Sequence, residues 1–246
     1  MASSSERYNI IYLAKLAALA ERYDDMIDAM KKLVKNNIDL TAEERNLLST
    51  AYKKVTEPKR ESWKRLSTTK QKEDTIYKNE TYIKCIQDYR NIVELDLANI
   101  CYDVIILIDD HLLPFASCAE SSVFYLKMKA DHYRYMAEIK TGDAKSLVAE
   151  ESLKTYKEAM AITMVQFSPI HPTRLGLALN FIINLLQFYN FSMVMAYQLA
   201  KEAFEVAMLE LDDLGGKASS KDSKVILNLL RDNLTLWKAK NDERNL

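Results

Sequence analysis

The chain has few residues at which a backbone can turn sharply, with only 4 Gly and 4 Pro among 246 residues. A strand-rich fold needs frequent turns, and such turns depend heavily on Gly and Pro. Long helices joined by short connections need far fewer. Because 48% of the residues are apolar, the chain also has ample material for a core. The sequence therefore predicts an all-α protein.

Apolar residues recur at helical spacing in nine segments. The third segment opens with a capping box, in which the Thr41 hydroxyl and the Glu44 carboxylate reciprocally satisfy amides at the helix start. The polar residues 70–79 are predicted to form a loop or a frayed helix end. The predicted helices span residues 6–19, 21–35, 41–72, 82–111, 119–139, 143–167, 172–189, 192–211 and 220–238.

No change of composition divides the chain, so we predict a single domain over residues 1–246, with a frayed N-terminus at 1–5 and a short tail at 238–246. The N-terminal residues lack an apolar run of the signal-peptide type, and the longest apolar runs stop at charges. We therefore expect a protein that is neither secreted nor membrane-anchored. The net charge of -1 provides no overall attraction to nucleic acid or to an anionic membrane, so any basic recognition surface must be local.

The cysteines and histidines show no spacing typical of a metal site or a catalytic centre. We predict reduced, buried thiols and structural or solvent-facing imidazoles. The chain also lacks a Gly-rich phosphate loop and a GxSxG motif, so we predict no metal, no cofactor and no enzymatic activity. The residues concerned are Cys85, Cys101, Cys118, His111, His132 and His171.

Cations recur at an interval of seven residues on two predicted helices. Lys127 and Arg134 share one face of the fifth helix, amid aromatic and aliphatic residues, and Lys53 and Arg60 do the same on the third. Cations in such surroundings are costly to desolvate unless an anion pairs with them. The pattern favours an anionic ligand, although a solvated face is the alternative for any one Lys or Arg, and spacing alone does not place the two helices against each other.

Carboxamides interrupt apolar stripes on the seventh and ninth predicted helices. The backbone of an extended peptide could satisfy such amides, and hydrogen bonding between helices in the core is the alternative. The amides are Asn180, Gln187 and Asn233, and their apolar neighbours include Leu179, Ile183, Leu229 and Trp237.

Five long motifs, in order along the chain, resemble the 14-3-3 family. The resemblance covers essentially everything from Tyr8 to Trp237, with a few extra residues in the loop at 70–80. The motifs are ERYDDM at 21–26, EERNLLSTAYK at 43–53, VFYLKMKADHYRY at 123–135, HPTRLGLALNF at 171–181 and LLRDNLTLW at 229–237.

The resemblance implies nine antiparallel helices that form an amphipathic groove and bind phosphoserine or phosphothreonine in extended client segments. It assigns phosphate binding to Lys53, Arg60, Arg134 and Tyr135. It assigns binding of the client's peptide backbone to Asn180 and Asn233. It places Lys127 on the groove floor and assigns the groove wall to Leu179, Ile183, Leu229 and Trp237.

Two positions depart from the family pattern within the groove. Gln187 stands where an acidic residue is common, which keeps an acceptor but removes a charge. Pro58 stands just before Arg60, where it removes one helical hydrogen bond and tends to kink the helix. We therefore expect Gln187 to shift the preference for the residues before the phosphoresidue, and Pro58 to affect the reach of Arg60. Because the tail is short, we do not expect an acidic C-terminus to occlude the groove.

The resemblance further implies a homo- or heterodimer in which the first helix packs on the third and fourth helices of the partner. One intersubunit ion pair of the family is expected to be missing, because Ile92 replaces the basic partner of Asp25. Phosphorylation of Ser62 is expected to disfavour association, because it adds charge at a packed interface. The matching positions are Leu16, Ala20, Ser62, Leu66 and Tyr89, with an ion pair expected between Arg22 and Asp96.

The sequence thus predicts a phosphorylation-dependent adaptor in signalling, which clamps phosphorylated client proteins and inserts into no membrane. The cytoplasm is the expected location, with the nucleus as a further one. The alternative function is a tetratricopeptide-like helical scaffold that binds unmodified peptides, although no 34-residue repeat is found.

Overall fold

The structure is a computed structural model that describes residues 4–189, 193–213 and 221–244. These residues contain nine α-helices and no strand, which confirms the all-α prediction. The helices are α1 Ser4–Leu19, α2 Tyr23–Val34, α3 Ala42–Lys72, α4 Glu80–Leu107, α5 Ala119–Ile139, α6 Gly142–Gln166, α7 Pro172–Phe188, α8 Met193–Asp213 and α9 Lys221–Arg244.

Several connections turn at residues other than glycine. Glu21, Asn37 and Lys78 have φ angles of 56°, 55° and 55°, which place them in the left-handed region. Glu21 explains why α2 begins at Tyr23 rather than at residue 21 as predicted, because a left-handed residue cannot continue a right-handed helix. Gly142, the first residue of α6, also has a left-handed φ of 55°.

The predicted loop at 70–79 is more ordered than the sequence indicated. After α3, a π-helical turn spans Glu73–Tyr77 and ends at Lys78, so only a short connection separates it from α4. The Asn79 side chain then caps α4 by accepting a hydrogen bond from the Tyr82 amide at 3.2 Å. A second π-helical turn, Ile108–Leu112, follows α4 before the chain turns at Pro114.

The helices also differ from the predicted bounds at both ends of the chain. Helix α1 already begins at Ser4, within the segment expected to be frayed, and α9 continues to Arg244, through most of the expected tail. The remainder of the predicted frayed end, 1–3, and of the predicted tail, 245–246, lies outside the described residues. Pro58 lies inside α3, which continues through it to Lys72.

The chain divides into two compact units. The first comprises Met1–Ser117 and Tyr135–Ser146. In it α1 packs on α2 and α3, and α3 packs on α4. The capping box is confirmed, because the Glu44 amide donates to Thr41 Oγ1 at 3.3 Å while the Thr41 amide donates to Glu44 Oε2 at 2.7 Å. Arg7 joins α1 to this cap through Glu44 at 2.5 Å.

The second unit comprises Cys118–Arg134 and Leu147–Leu246. Helices α7, α8 and α9 pack on one another, and small residues let them approach closely. Ser152 on α6 ties three helices together, since its hydroxyl lies 2.9 Å from the Ala130 carbonyl on α5 and 3.2 Å from Asn184 Oδ1 on α7. The core residues of the last three helices include Leu175, Ile182, Ala196, Ala200, Ala207, Leu230 and Trp237.

The prediction of three buried cysteines is wrong for two of them. Cys101 is fully buried, whereas Cys85 lies on the solvent-facing side of α4 and Cys118 lies in the exposed segment before α5. None of the three forms a disulfide with a described residue. Across the ranges that the structure describes, we find no helix with the length and apolar character needed to span a bilayer.

Candidate functional site

Arg60 is held rigidly in the first unit. Its Nε donates to Glu138 Oε2 at 2.9 Å and its Nη2 donates to Glu138 Oε1 at 2.6 Å, which is the bidentate geometry of a strong ion pair. The guanidinium also lies over the ring of Tyr135, 4.0 Å from the ring centre. The Arg60 and Glu138 side chains are only 16% and 12% exposed.

Lys53 differs from Arg60 although both lie on α3. It is exposed, and it forms no ion pair with any residue that the structure describes. Two helical turns, or about 10 Å along the axis, separate the two cations, and they share one face of the helix. The ammonium of Lys53 is therefore accessible to a ligand without breaking a bond within the protein.

Arg134 lies in the second unit and is held by several long hydrogen bonds. Nη2 donates to Asp131 Oδ1 at 3.3 Å, Nε to the Tyr156 hydroxyl at 3.4 Å and Nη1 to Gln187 Oε1 at 3.5 Å. All three exceed the usual length for an N–H donor and an oxygen. The side chain is 10% exposed, so these contacts orient a largely buried cation.

Asp131 is the centre of this network. Lys127 Nζ donates to its Oδ2 at 2.8 Å, and the Tyr156 hydroxyl donates to its Oδ1 at 2.5 Å. Burial alone would raise the pKa of the Asp131 carboxyl, but the charges of Lys127 and Arg134 outweigh burial and hold that pKa well below its usual value. Burial and the Asp131 charge raise the pKa of Tyr156. At neutral pH the network therefore contains a carboxylate, a phenol and two cations.

Three of the cations singled out in the sequence already have anionic partners inside the protein. Asp131 lies between Lys127 and Arg134, and Glu138 pairs with Arg60, so both guanidiniums are already compensated. Asp131, Glu138 and Tyr156 were not identified from the sequence. The signal for the first was present, because Asp131 follows Lys127 by four residues, which is the spacing of a helical ion pair.

His132 follows Asp131 and is buried beside the same network. Its ring donates from Nδ1 to the Met128 carbonyl oxygen at 2.7 Å. Burial lowers the pKa of the imidazole to about 4, so the ring is neutral at neutral pH. His171 caps α7 by accepting from the Thr173 amide at 3.3 Å, and His111 contacts Asn37, which agrees with the structural roles predicted for them.

The two amides assigned to the peptide backbone are both half-buried in the second unit. Asn233 on α9 uses its Nδ2 to donate to the Leu229 carbonyl at 2.8 Å, which leaves its Oδ1 to accept from a ligand. A further amide, Asn184, is fully buried and bonded to Ser152, so it belongs to the core.

The predicted groove residues of α7 and α9 differ in exposure. Leu179 and Trp237 are buried, at 9% and 5% exposed, and belong to the core of α7–α9. Ile183 is partly buried against that core, whereas Leu229 is 46% exposed and Gln187 is exposed. Among the predicted wall residues, Leu229 is therefore the one most open to a ligand.

The residues assigned to a dimer interface lie mostly on the surface of the first unit. Leu66 is half-buried, and the others are exposed: Leu16, Ala20, Arg22, Ser62, Tyr89 and Asp96. Further apolar residues extend this surface, and a cavity of about 430 Å³ lies between α1 and α2. Within one chain, Arg22 pairs with Asp25, and Asp96 lies 3.4 Å from Lys59.

No group of three His, Cys, Asp or Glu side chains suited to a metal ion occurs in residues 4–189, 193–213 and 221–244. The residues assigned to the site from the sequence are cations, a phenol and amides, which are groups that can bind an oxyanion or an extended chain.

Comparison with known proteins supports one family. The model of the family described as "14-3-3 protein" matches residues 13–238. The chain is 52% identical over 237 residues to 14-3-3 protein 9 of Solanum lycopersicum, which covers 96% of this chain and 90% of the relative. It is 49% identical, with the same coverage, to 14-3-3-like protein B of Vicia faba. It is 50% identical to a 14-3-3-like protein of Chlamydomonas reinhardtii, over 94% of this chain and 89% of that one.

Proposed function

The chain belongs to the 14-3-3 family, and we propose that it is an adaptor that binds client segments containing phosphoserine or phosphothreonine. Membership of this family makes it an adaptor rather than an enzyme. Its partners would be phosphorylated client proteins, held without covalent chemistry. We place this activity in the cytoplasm, with the nucleus as a further location.

The proposal assigns the phosphate to Lys53, Arg60, Arg134 and Tyr135, the positions that match the family motif. The observation that supports it most directly is the length of the three hydrogen bonds of Arg134, 3.3 to 3.5 Å. A phosphate oxygen could replace them with shorter, charge-assisted bonds, each worth about 1.5–3 kcal/mol. Lys53, which is exposed and makes no ion pair with a described residue, adds a cation at no cost in broken contacts.

Charge is the basis of discrimination in this proposal. A phosphate group carries a charge of roughly -1.5 to -2 and three strong acceptor oxygens, whereas a serine hydroxyl has neither. Asp131 and Glu138 would repel any anion that brings too few bonds to compensate. An unphosphorylated segment would therefore bind weakly.

The amides would recognise the extended backbone of the client rather than its side chains. Asn180 and Asn233 would bind the peptide, with Asn233 Oδ1 as an acceptor for a peptide N–H, since its Nδ2 already bonds to Leu229. Leu229 and Ile183 would contact apolar client side chains, supported by Leu179 and Trp237 beneath them. Lys127, 32% exposed, would complete the floor. Because the contacts are mainly to backbone, many different clients could bind.

We further propose a homo- or heterodimer in which α1 packs on α3 and α4 of the partner, through a surface that includes Ser62 and Leu66 on α3. Tyr8, Tyr12 and Leu19 on α1 are 68%, 55% and 83% exposed, and Tyr89 and Ile92 on α4 are 60% and 57% exposed. Apolar exposure on this scale is typical of an interaction surface. Two sites on one dimer could raise the affinity for a doubly phosphorylated client by about 100-fold or more.

The test is a fluorescence-polarisation titration with an Arg-x-x-phosphoSer-x-Pro peptide and its unphosphorylated twin. We expect the wild type to bind only the phosphopeptide and Arg134→Ala to bind neither. Arg231→Ala is the matched control, because Arg231 is 63% exposed on α9 and the nearest carboxylate among the described residues is that of Asp232, at 4.0 Å. Equal binding of the two peptides would instead support a scaffold for unmodified peptides.

The dimer is tested separately by sedimentation velocity of Ser62→Glu. Ser62 is exposed, and its hydroxyl donates to the Pro58 carbonyl at 2.9 Å. We expect the added charge to shift the protein toward monomer at micromolar concentration, whereas Thr68→Glu, on a different face of α3, should leave the dimer intact. A dimer that is unchanged by Ser62→Glu would contradict the proposed interface.

A further inference from the structure

A second cavity lies entirely within the second unit, among α6, α7 and α8. Its volume is about 350 Å³, which is within the range of small-molecule sites, roughly 300–1,000 Å³. We refer to it as the α6–α8 cavity. Its lining residues are Met160, Met164, Pro169, Arg174, Leu175, Ala178, Leu199, Glu202, Ala203 and Val206.

The cavity is distinct from the proposed peptide-binding face. On α7 the cavity residues Arg174, Leu175 and Ala178 fall within an arc of about 100°, at 100° per residue. Asn180 and Ile183, which are assigned to the client peptide, project from the other side of the same helix. A ligand in the cavity and a client peptide would therefore occupy opposite faces of α7.

The lining is mostly apolar but contains one cation and one anion. Arg174 is half-buried, and its Nη1 donates to the Phe167 carbonyl oxygen at 2.9 Å, which fixes the position of the guanidinium. No described residue accepts a hydrogen bond from Arg174 Nε or Nη2, and no described residue forms an ion pair with Arg174 or Glu202. An anchored guanidinium with donors to spare, beside apolar side chains, is suited to an organic acid.

The apolar part of the lining is adaptable. Leu175 and Ala178 form a buried base, 1% and 8% exposed, while Met164 and Val206 form an open rim, 64% and 46% exposed. Methionine side chains adjust to ligands of different shape, and two of the ten lining residues are methionine. This composition favours a flat or bulky apolar body over a sugar or a nucleotide.

We propose that the α6–α8 cavity binds a small amphipathic acid, with an apolar aromatic body against Leu175 and Ala178 and its acid group on Arg174. Glu202 is placed to accept from an N–H or O–H of the same ligand. The site would operate independently of client binding, because it uses the opposite face of α7.

The probe is 8-anilinonaphthalene-1-sulfonate, which combines an apolar ring system, an anion and an N–H donor. Its neutral counterpart, N-phenyl-1-naphthylamine, lacks only the acid group. Both are titrated by fluorescence against the full chain. We expect the wild type to bind the sulfonate at least tenfold more tightly than the neutral compound. Saturating phosphopeptide should not displace either.

Arg174→Gln should weaken sulfonate binding about tenfold and leave binding of the neutral compound unchanged, whereas the matched control Arg231→Gln should change neither.

Ala203→Leu fills the cavity and should abolish binding of both compounds. Val206→Phe closes the exposed rim without entering the core, and it gives the same test if Ala203→Leu fails to fold. Sulfonate binding that survives Arg174→Gln, persists when the cavity is blocked, or is displaced by phosphopeptide would overturn the proposal. The results for Arg174→Gln and for the two cavity-blocking variants do not depend on whether the phosphopeptide site is assigned correctly.

Discussion

Arg60 and Arg134 carry the same guanidinium group but are held in different ways. Arg60 makes two bonds of 2.6 and 2.9 Å to one carboxylate and lies over an aromatic ring. Arg134 is more deeply buried and makes bonds of 3.3 to 3.5 Å to three different side chains. The first arrangement is a completed ion pair, and the second is an orienting network.

This difference indicates how a protein can keep cations in place before a ligand arrives. A bidentate carboxylate such as Glu138 fixes an arginine firmly but competes with the ligand for it. Asp131 instead divides its charge among Lys127, Arg134 and Tyr156, so it holds Arg134 at a longer distance than Glu138 holds Arg60. We therefore expect the Arg134 network to matter more both for stability and for ligand binding.

The largest expected effect is on stability, from Asp131→Asn. This change removes the buried anion on which Lys127 and Arg134 converge, and breaking a buried ion pair in this way costs about 3–5 kcal/mol. Glu138→Gln removes the anion from one cation, Arg60, which keeps its contact with the Tyr135 ring, so it should cost only about 1–2 kcal/mol. Urea unfolding monitored by circular dichroism measures both. Equal losses would show that the two networks are equivalent.

His132 extends the comparison to pH. Its folded pKa of about 4 lies below the unfolded value of about 6.5, so the unfolded chain binds the proton first as pH falls. Neutral, buried His132 should make its full contribution to the free energy of unfolding above pH 6.5. That contribution should fall by on the order of 3 kcal/mol between about pH 6.5 and pH 4, and this group should cause no further decrease at lower pH. Urea titrations at pH 7, 5.5 and 4 measure the decrease. His132→Phe should flatten the profile, and His111→Gln should not.

Phosphopeptide affinity should separate the two arginines directly. Arg134→Gln is expected to weaken binding about 100-fold, because two charge-assisted bonds to phosphate are lost. Arg60→Gln should weaken it only about tenfold, because part of the Arg60 donor capacity is already used by Glu138. Fluorescence polarisation with one peptide ranks the variants. The reverse order would mean that short bonds to Glu138 prepare Arg60 for the ligand rather than compete with it.

The smallest effect on phosphopeptide affinity should come from Lys53, the cation of the proposed site that forms no ion pair with a described residue. Lys53→Gln should weaken phosphopeptide binding about fivefold and leave stability unchanged, since one exposed ammonium contributes about 1 kcal/mol. Lys54→Gln is the matched control, because Lys54 is the next residue along α3 and lies over the ring of Tyr23 instead. Equal losses of phosphopeptide affinity in the two variants would indicate a general effect of positive charge on α3 rather than a direct contact with Lys53.

Much of the fold was predictable from residues alone. Scarce Gly and Pro predicted helices, and Thr41 and Glu44 predicted a cap that the structure contains. Helix ends were less predictable, because Glu21 and Lys78 adopt left-handed angles that their side chains do not favour. At such positions the packing of the flanking helices decides the backbone.

The cations of the candidate site could be predicted from the sequence, but the carboxylates that pair with them could not. Seven-residue spacing identified Lys127 with Arg134 and Lys53 with Arg60, and the family motif added Tyr135. Glu138 could not be paired with Arg60 from spacing, because the two lie 78 residues apart. Which carboxylate meets which cation depends on tertiary contacts, and these have no local signal.

The left-handed turns have a practical consequence for protein engineering. Glu21 and Lys78 each occupy a conformation that costs an ordinary side chain about 1–2 kcal/mol relative to a right-handed one. Glycine would relieve most of that strain while adding some freedom to the unfolded chain. These two surface turns are thus starting points for a more heat-resistant variant.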